Sequence, residues 1–191
     1  MKVLGISGSP RKGGNTDTLL SEMLRGASEK GAETKILHLN SMKFVSCTHC
    51  DGCLKEGNCI IKDEMQDIYP EFEQADVIIL ATPIQFMGMT APMKAMIDRF
   101  QSRWARKYVL KIPPLGEVKP RKGFLIAVGG TKYKNIFDSP LVIVKTFFRI
   151  LDIEYAGDLL LRDIDKKGAI NDHPEALKQA YEEGQKLIIT N

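Results

Sequence analysis

Two rhythms alternate along the chain. Short runs rich in aliphatic and β-branched residues occupy Lys2–Ser7, 34–39, 77–81, 123–128 and 153–160. Between them, apolar positions recur every three or four residues, the spacing of one helical face. The first such stretch carries Leu19, Leu20, Met23, Leu24 and Ala27; the second spans 63–74 with Met65, Ile68 and Phe72 on one side. A third opens at Pro92, suited to a first helical turn, and carries Met93, Met96, Ile97, Phe100 and Trp104. Helices are further expected over 140–151 and 174–189. Residues 77–81 (VIILA) are apolar without interruption, which marks a strand covered on both faces of a parallel sheet. Five βα units in succession predict an α/β fold, a three-layer, doubly wound parallel sheet of five strands in the order 2-1-3-4-5, within a single domain 1–191.

In sheets of this kind ligands sit beyond the carboxyl ends of the strands near the switch point, so the loops after strands one, three and four are the places to look for chemistry. The first, Gly8-Ser9-Pro10-Arg11-Lys12-Gly13-Gly14-Asn15-Thr16, supplies hydroxyls, an amide, a guanidinium and glycines ahead of a helix N-terminus. Those groups suit a phosphate. The loop matches neither G-x-x-x-x-G-K-[ST] nor G-x-G-x-x-G, and strand two ends Leu37-His38-Leu39-Asn40 without the acid that a dinucleotide ribose would want. A mononucleotide with a terminal phosphate fits better.

All four cysteines fall in one segment, Cys47, Cys50, Cys53 and Cys59, a C-x2-C-x2-C-x5-C run inside a loop at about 44–62. Three thiols at successive two-residue gaps and a fourth after a longer one can converge on a cubane-sized object, so an iron–sulfur cluster is the first reading. Zinc is the rival, since four thiolates also satisfy a tetrahedral site, although zinc sites more often pair two C-x2-C knuckles across a longer spacer. A disulfide framework fits less well, because the chain opens without a signal peptide and the expected compartment is the cytoplasm. His49, inside the run, reads as an exposed loop residue.

Composition narrows the classes. With 43% hydrophobic and 27% charged residues the chain is ordinary globular protein, and a net charge of +3 is too small for a nucleic-acid face. No apolar run is long enough to span a bilayer, so no membrane partner is expected. His38, His49 and His173 lie far apart, and no Ser-His-Asp or Cys-His set stands out. Arg99, Arg103, Arg106, Lys107 and Lys111 read as a solvated helix face, or else as a docking face for an acidic electron carrier. Met87, Met89, Met93 and Met96 read as core or interface.

Gly8-Ser9-Pro10-Arg11 followed by Gly14-Asn15-Thr16 resembles the phosphate loop of the NADPH-dependent FMN reductase-like flavoproteins, a branch of the flavodoxin-like fold. The resemblance continues through Thr82-Pro83-Ile84-Gln85-Phe86-Met87-Gly88 to Pro92-Met93-Lys94 and Asp98-Arg99, although the family often has a tyrosine or another aromatic at Gln85 or Phe86. The cysteine run makes the chain similar to the iron–sulfur flavoproteins within that family. The resemblance implies FMN and a [4Fe–4S] cluster as cofactors. It places Ser9, Arg11, Gly14, Asn15 and Thr16 at the FMN phosphate. Pro83, Ile84, Gln85, Phe86, Met87 and Gly88 would border the ribityl chain and ring, with Gly129, Gly130 and Thr131 closing the third side. The cluster would rest on Cys47, Cys50, Cys53 and Cys59. It further implies a flavin-dependent oxidoreductase that takes electrons from a ferredoxin-like carrier or NAD(P)H and reduces a small acceptor, working as a homodimer or homotetramer. Two alternatives stay open: an NAD(P)H-dependent FMN or quinone reductase without a cluster, and a non-enzymatic redox-sensing FMN module.

Overall fold

A computed structural model describes residues 1–189; Thr190 and Asn191, the end of the expected domain, lie outside the described residues. Five parallel strands form the sheet: β1 (Lys2–Ser7), β2 (Glu33–His38), β3 (Val77–Gln85), β5 (Lys122–Val128) and β6 (Glu154–Leu161). A two-residue strand, β4 (Gly88–Met89), pairs antiparallel with the end of β3 through Ile84↔Met89 and Gln85↔Gly88. The sheet therefore has six strands in the order β2-β1-β3-β5-β6 with β4 on β3, which corrects the five-stranded expectation. The five parallel strands keep the expected sequence of neighbours. The sixth escaped because β3 continues past its apolar run, through Thr82-Pro83-Ile84-Gln85, and turns back on itself within two residues.

Alternation along the strands feeds two cores. Val3, Val77, Ile79, Ala81, Phe124 and Ile126 face α1 (Asn15–Glu29) and α7 (Pro174–Ile188). Leu4, Ile6, Ile78, Leu80 and Leu125 face α3 (Met65–Gln74), α4 (Ala91–Arg99) and α6 (Asp138–Ile150) across Phe72, Phe100, Phe147 and Phe148. Helices α1 and α7 approach so closely that a Cβ on Gly26 would stand 2.1 Å from the Tyr181 carbonyl oxygen, and one on Gly184 1.9 Å from that of Met23. Only glycine fits at either crossing point.

The helix expected from Pro92 through Trp104 is broken. Helix α4 ends at Arg99, Phe100 leaves helical geometry, α5 (Gln101–Trp104) restarts, and a π-helical turn follows over Ala105–Val109. A short helix, α2 (Cys53–Glu56), lies within the cysteine segment. Among the described residues no helix is long and apolar enough to cross a membrane.

Candidate functional site

The loop after β1 is fastened at both ends. The Gly8 N–H donates to the Ala81 carbonyl at 2.8 Å, and the Gly8 carbonyl accepts the Thr90 hydroxyl at 2.7 Å, which ties the loop to the start of α4. Beneath it the buried Asp17 carboxylate accepts the Ser7 hydroxyl and, at 2.9 Å, the Gly13 N–H. The loop turns where Gly14 N–H donates to the Arg11 carbonyl at 2.9 Å, and a Cβ on Gly14 would stand 2.9 Å from that same oxygen. At the N-terminus of α1 that follows, the first backbone N–H groups have no intrahelical acceptor and carry the positive end of the helix dipole.

Above this loop lies a cleft. Ser9, Arg11, Gly14, Asn15, Thr16, Pro83, Ile84, Gln85 and Gly130 line it, together with Pro10, Val128, Ile164, Asp165 and Lys167. Nine of the fourteen residues assigned to a flavin by resemblance thus border one space. Phe86 and Met87 form the tip of the β3–β4 hairpin and Gly88 lies in β4. Gly129 is buried, donating its N–H to the Leu161 carbonyl, while Thr131 accepts the Tyr133 N–H at its hydroxyl; these five do not line the cleft.

Two findings change the roles of cleft residues. The Asn15 side chain is engaged at both its polar atoms, donating to the Lys166 carbonyl at 2.9 Å and accepting the Ile170 N–H at 3.2 Å. It braces the loop after β6. That β6 loop forms a wall the sequence reading passed over, with Asp165 receiving Arg11 on its carbonyl at 3.4 Å. Its signal was available: Arg162-Asp163-Ile164-Asp165-Lys166-Lys167-Gly168 is a dense charge run at the carboxyl end of a parallel strand. A helix N-terminus, a guanidinium, a lysine and a glycine-lined turn form a donor set that suits a phosphate monoester under an apolar-walled cleft.

The cysteine segment is built around one buried arginine. The Arg99 side chain is 0% exposed and pairs with Asp63, Nη1 to Oδ2 at 2.7 Å and Nη2 to Oδ1 at 3.0 Å. The same two nitrogens donate to the carbonyls of Val45 at 2.8 Å and Ile61 at 3.3 Å, the two ends of the cysteine loop. Asp63 in turn accepts the N–H groups of Val45 and Met65. Burial works against charge on the Arg99 guanidinium, yet the Asp63 carboxylate, with Cys59 and Tyr69 beside it, raises its pKa. Burial pushes the Tyr69 hydroxyl up to about 12, and that hydroxyl donates to the Arg99 carbonyl.

All four thiols are free; Cys50 is exposed and Cys47, Cys53 and Cys59 are half-buried. Burial raises the Cys53 pKa, and Cys59, Cys47 and Cys50 are near enough to raise it further. Among the described residues no three His, Cys, Asp or Glu side chains stand in metal-holding geometry. The donor chemistry nevertheless suits a thiolate-bound metal, since four thiols share one clamped loop whose backbone turns through positive φ at His49, Asp51 and Gly57.

Most of the basic stretch is paired, while Lys111 is exposed. Arg103 pairs with Glu73 and Lys107 with Asp152, while Arg106 donates to the carbonyls of Pro113 and Glu56. Arg103, Arg106 and Lys107 are half-buried braces, and Arg106 packs against Gly57 to hold α2 in place.

Known proteins agree with this architecture. Residues 1–134 match the family described as NADPH-dependent FMN reductase. An iron–sulfur flavoprotein of Methanocaldococcus jannaschii is 42% identical over 83% of this chain and 77% of its own length. One from Methanosarcina thermophila is 33% identical over 69% of this chain and 65% of its own. An FMN-dependent NADH-azoreductase from Bacillus anthracis, solved in complex with FMN, superposes with a TM-score of 0.73 at 17% identity, covering 99% of this chain and 100% of that one, and so shares the fold. With its phosphate-suited cleft and its relatives, the chain belongs to the NADPH-dependent FMN reductase family of flavin-dependent oxidoreductases, in the branch of the iron–sulfur flavoproteins.

Proposed function

We propose that this chain, as one flavodoxin-like unit, binds FMN in the cleft and a [4Fe–4S] cluster on Cys47, Cys50, Cys53 and Cys59, and exchanges electrons between a one-electron carrier such as ferredoxin and a small-molecule acceptor. When bound, FMN exchanges electrons singly or in pairs and the cluster moves them one at a time. The observation that carries the reading is the pairing of a phosphate-suited cleft with four free thiols in one loop clamped by a buried ion pair. In the cleft, Ser9, Arg11, Gly14 and Thr16, with the α1 N-terminus, hold the phosphate. Pro83, Ile84 and Gln85 wall the ring and Gly130 closes the far side, with the Phe86, Met87 and Gly88 hairpin, Gly129 and Thr131 flanking this lining rather than forming it. Asn15 keeps the β6 loop against the phosphate. A homodimer or homotetramer follows from the family resemblance, with the cysteine loop of one subunit serving the flavin of its neighbour.

Open thiol geometry favours one competing reading, an NAD(P)H-dependent FMN reductase whose cysteines hold no cluster. Anaerobic purification with iron, acid-labile sulfide, zinc and flavin analysis separates the two. Iron and sulfide in equal amounts with one flavin per chain are expected, and zinc without sulfide sinks the cluster. Rapid mixing then names the donor: reduced ferredoxin should bleach the flavin faster than NADPH does.

A further inference from the structure

A buried carboxylate lies under a loop that suits an anion. Asp17, in the first turn of α1, is 6% exposed and accepts the Ser7 hydroxyl and, at 2.9 Å, the Gly13 N–H. The Ser7 oxygen accepts the Ser9 N–H at 3.2 Å, and the Ser9 oxygen accepts the Arg11 N–H at 3.2 Å. Residues 7, 9, 11 and 13 of the loop therefore all hang on this one side chain. The arrangement has an electrostatic cost, because a phosphate above the loop meets a negative charge below it, and both draw on the positive end of α1. The ionisable partner of that charge is His38, whose Nδ1 stands 3.8 Å from the Asp17 carboxylate. His38 is half-buried at the end of β2, where it is the register partner of Ser7. The turn after it, Leu39–Ser41, carries no charge, and further along α1 Arg25 pairs with Glu22 and Glu29. Of the loop cations, Arg11 reaches the Asp165 carbonyl and Lys12 is exposed.

We infer that the His38–Asp17 pair sets how strongly the cleft prefers a phosphorylated flavin over an unphosphorylated one. Neither residue lines the cleft, so both act as positioning residues. Asp17 fixes the loop, and a protonated His38 offsets the charge that Asp17 would otherwise present to the phosphate. The inference rests on the FMN reading above and goes beyond it by naming what tunes the site for phosphate. One strand spacing separates His38 from Ser7, which puts the imidazole on the order of 10 Å from a phosphate held at Ser9. At that range, beside water, a unit charge is worth about threefold in affinity.

The test uses the full chain freed of flavin, native and His38→Gln, with FMN and riboflavin binding read by quenching of flavin fluorescence. Measurements at about pH 5.5 and 8.5 bracket the range over which histidine changes charge. The phosphate's own proton loss is common to both chains and cancels in their ratio. The native chain should bind FMN about threefold more tightly than the variant at the lower pH and equally at the higher, with no difference for riboflavin at either. An FMN gap of the same size at both, no gap, or a gap shared by riboflavin overturns the inference, since a merely structural histidine would act without regard to pH or phosphate. A native chain that binds neither flavin overturns the FMN reading instead. The native chain also supplies a test that does not depend on the variant's folding. Coupling is reciprocal, so the His38 ring, followed by NMR, should titrate about 0.5 pH higher in the FMN complex than in the free chain. An unmoved midpoint overturns the inference as well.

Discussion

At the tip of the β3–β4 hairpin, Phe86 and Met87 occupy a two-residue turn with φ of 47° and 64°. Turns with both central residues at positive φ favour Asn-Gly or Gly-Gly, because a Cβ in the left-handed region costs about 1–2 kcal/mol. Phe86 is 107% exposed, so burial offsets none of this strain. Strained backbone of this kind collects where a ligand or partner is met, and here it stands on the strand that walls the cleft. Replacing Met87 by glycine should therefore stabilise the cofactor-free protein by about 1 kcal/mol, seen as a higher urea midpoint at an unchanged slope. A midpoint that stays put or drops would show that Met87 makes contacts worth more than the strain. The same residues explain why the hairpin was invisible beforehand: Thr82-Pro83-Ile84-Gln85-Phe86-Met87-Gly88 contains none of the turn dipeptides that announce such a reversal.

Among the elements, the cysteine loop depends on the ion pair between Arg99 at the end of α4 and Asp63 just before α3. Burial opposes charge on Asp63, but hydrogen bonds from Arg99 and from the N–H groups of Val45 and Met65 prevail and keep its carboxylate below the ordinary value of about 3.8. A carboxylate depressed on folding contributes its stability fully above the unfolded value and loses it as pH falls through the folded one. Removing the charge while Arg99 stays buried should be costly, about 3–5 kcal/mol. Asp63→Asn is accordingly expected to lose that much at pH 7 by chemical denaturation, with the gap to the native chain shrinking as pH falls below about 3.8. A gap that persists undiminished in acid would assign the loss to packing. The strand and helix rhythm that located α3, α4 and the five parallel strands is local, and locally it was legible. Arg99 was not, because four other cations follow it within twelve residues and its partner lies 36 residues away in sequence. Periodicity also cannot distinguish one long helix from α4, α5 and a π turn, since each keeps Met93, Met96, Ile97 and Phe100 on the core side.

Across the whole molecule, cleft and cysteine loop are separate constructions joined by one helix. Thr90, just ahead of α4, holds the Gly8 carbonyl, and Arg99, at the far end of α4, holds the loop, about 14 Å away along the axis. No residue lining the cleft belongs to residues 44–62, and the clamp draws on Val45, Ile61 and Asp63 rather than on any cleft residue. Within one chain, α4 is the element that carries contacts to both, and it is pinned at both ends by contacts within the protein. Losing one group should leave the other in place. On the proposed cluster reading, chain loaded with iron and sulfide and chain without them are expected to bind FMN with affinities within about twofold of each other, read by quenching of flavin fluorescence, and loaded chain stripped of FMN should retain what iron and sulfide it took up. A tenfold drop in FMN affinity on iron loss would mean about 1.4 kcal/mol of coupling between the sites. That outcome would require α4 to shift between two positions, and the Thr90 and Arg99 contacts name the two ends at which such a shift would be seen.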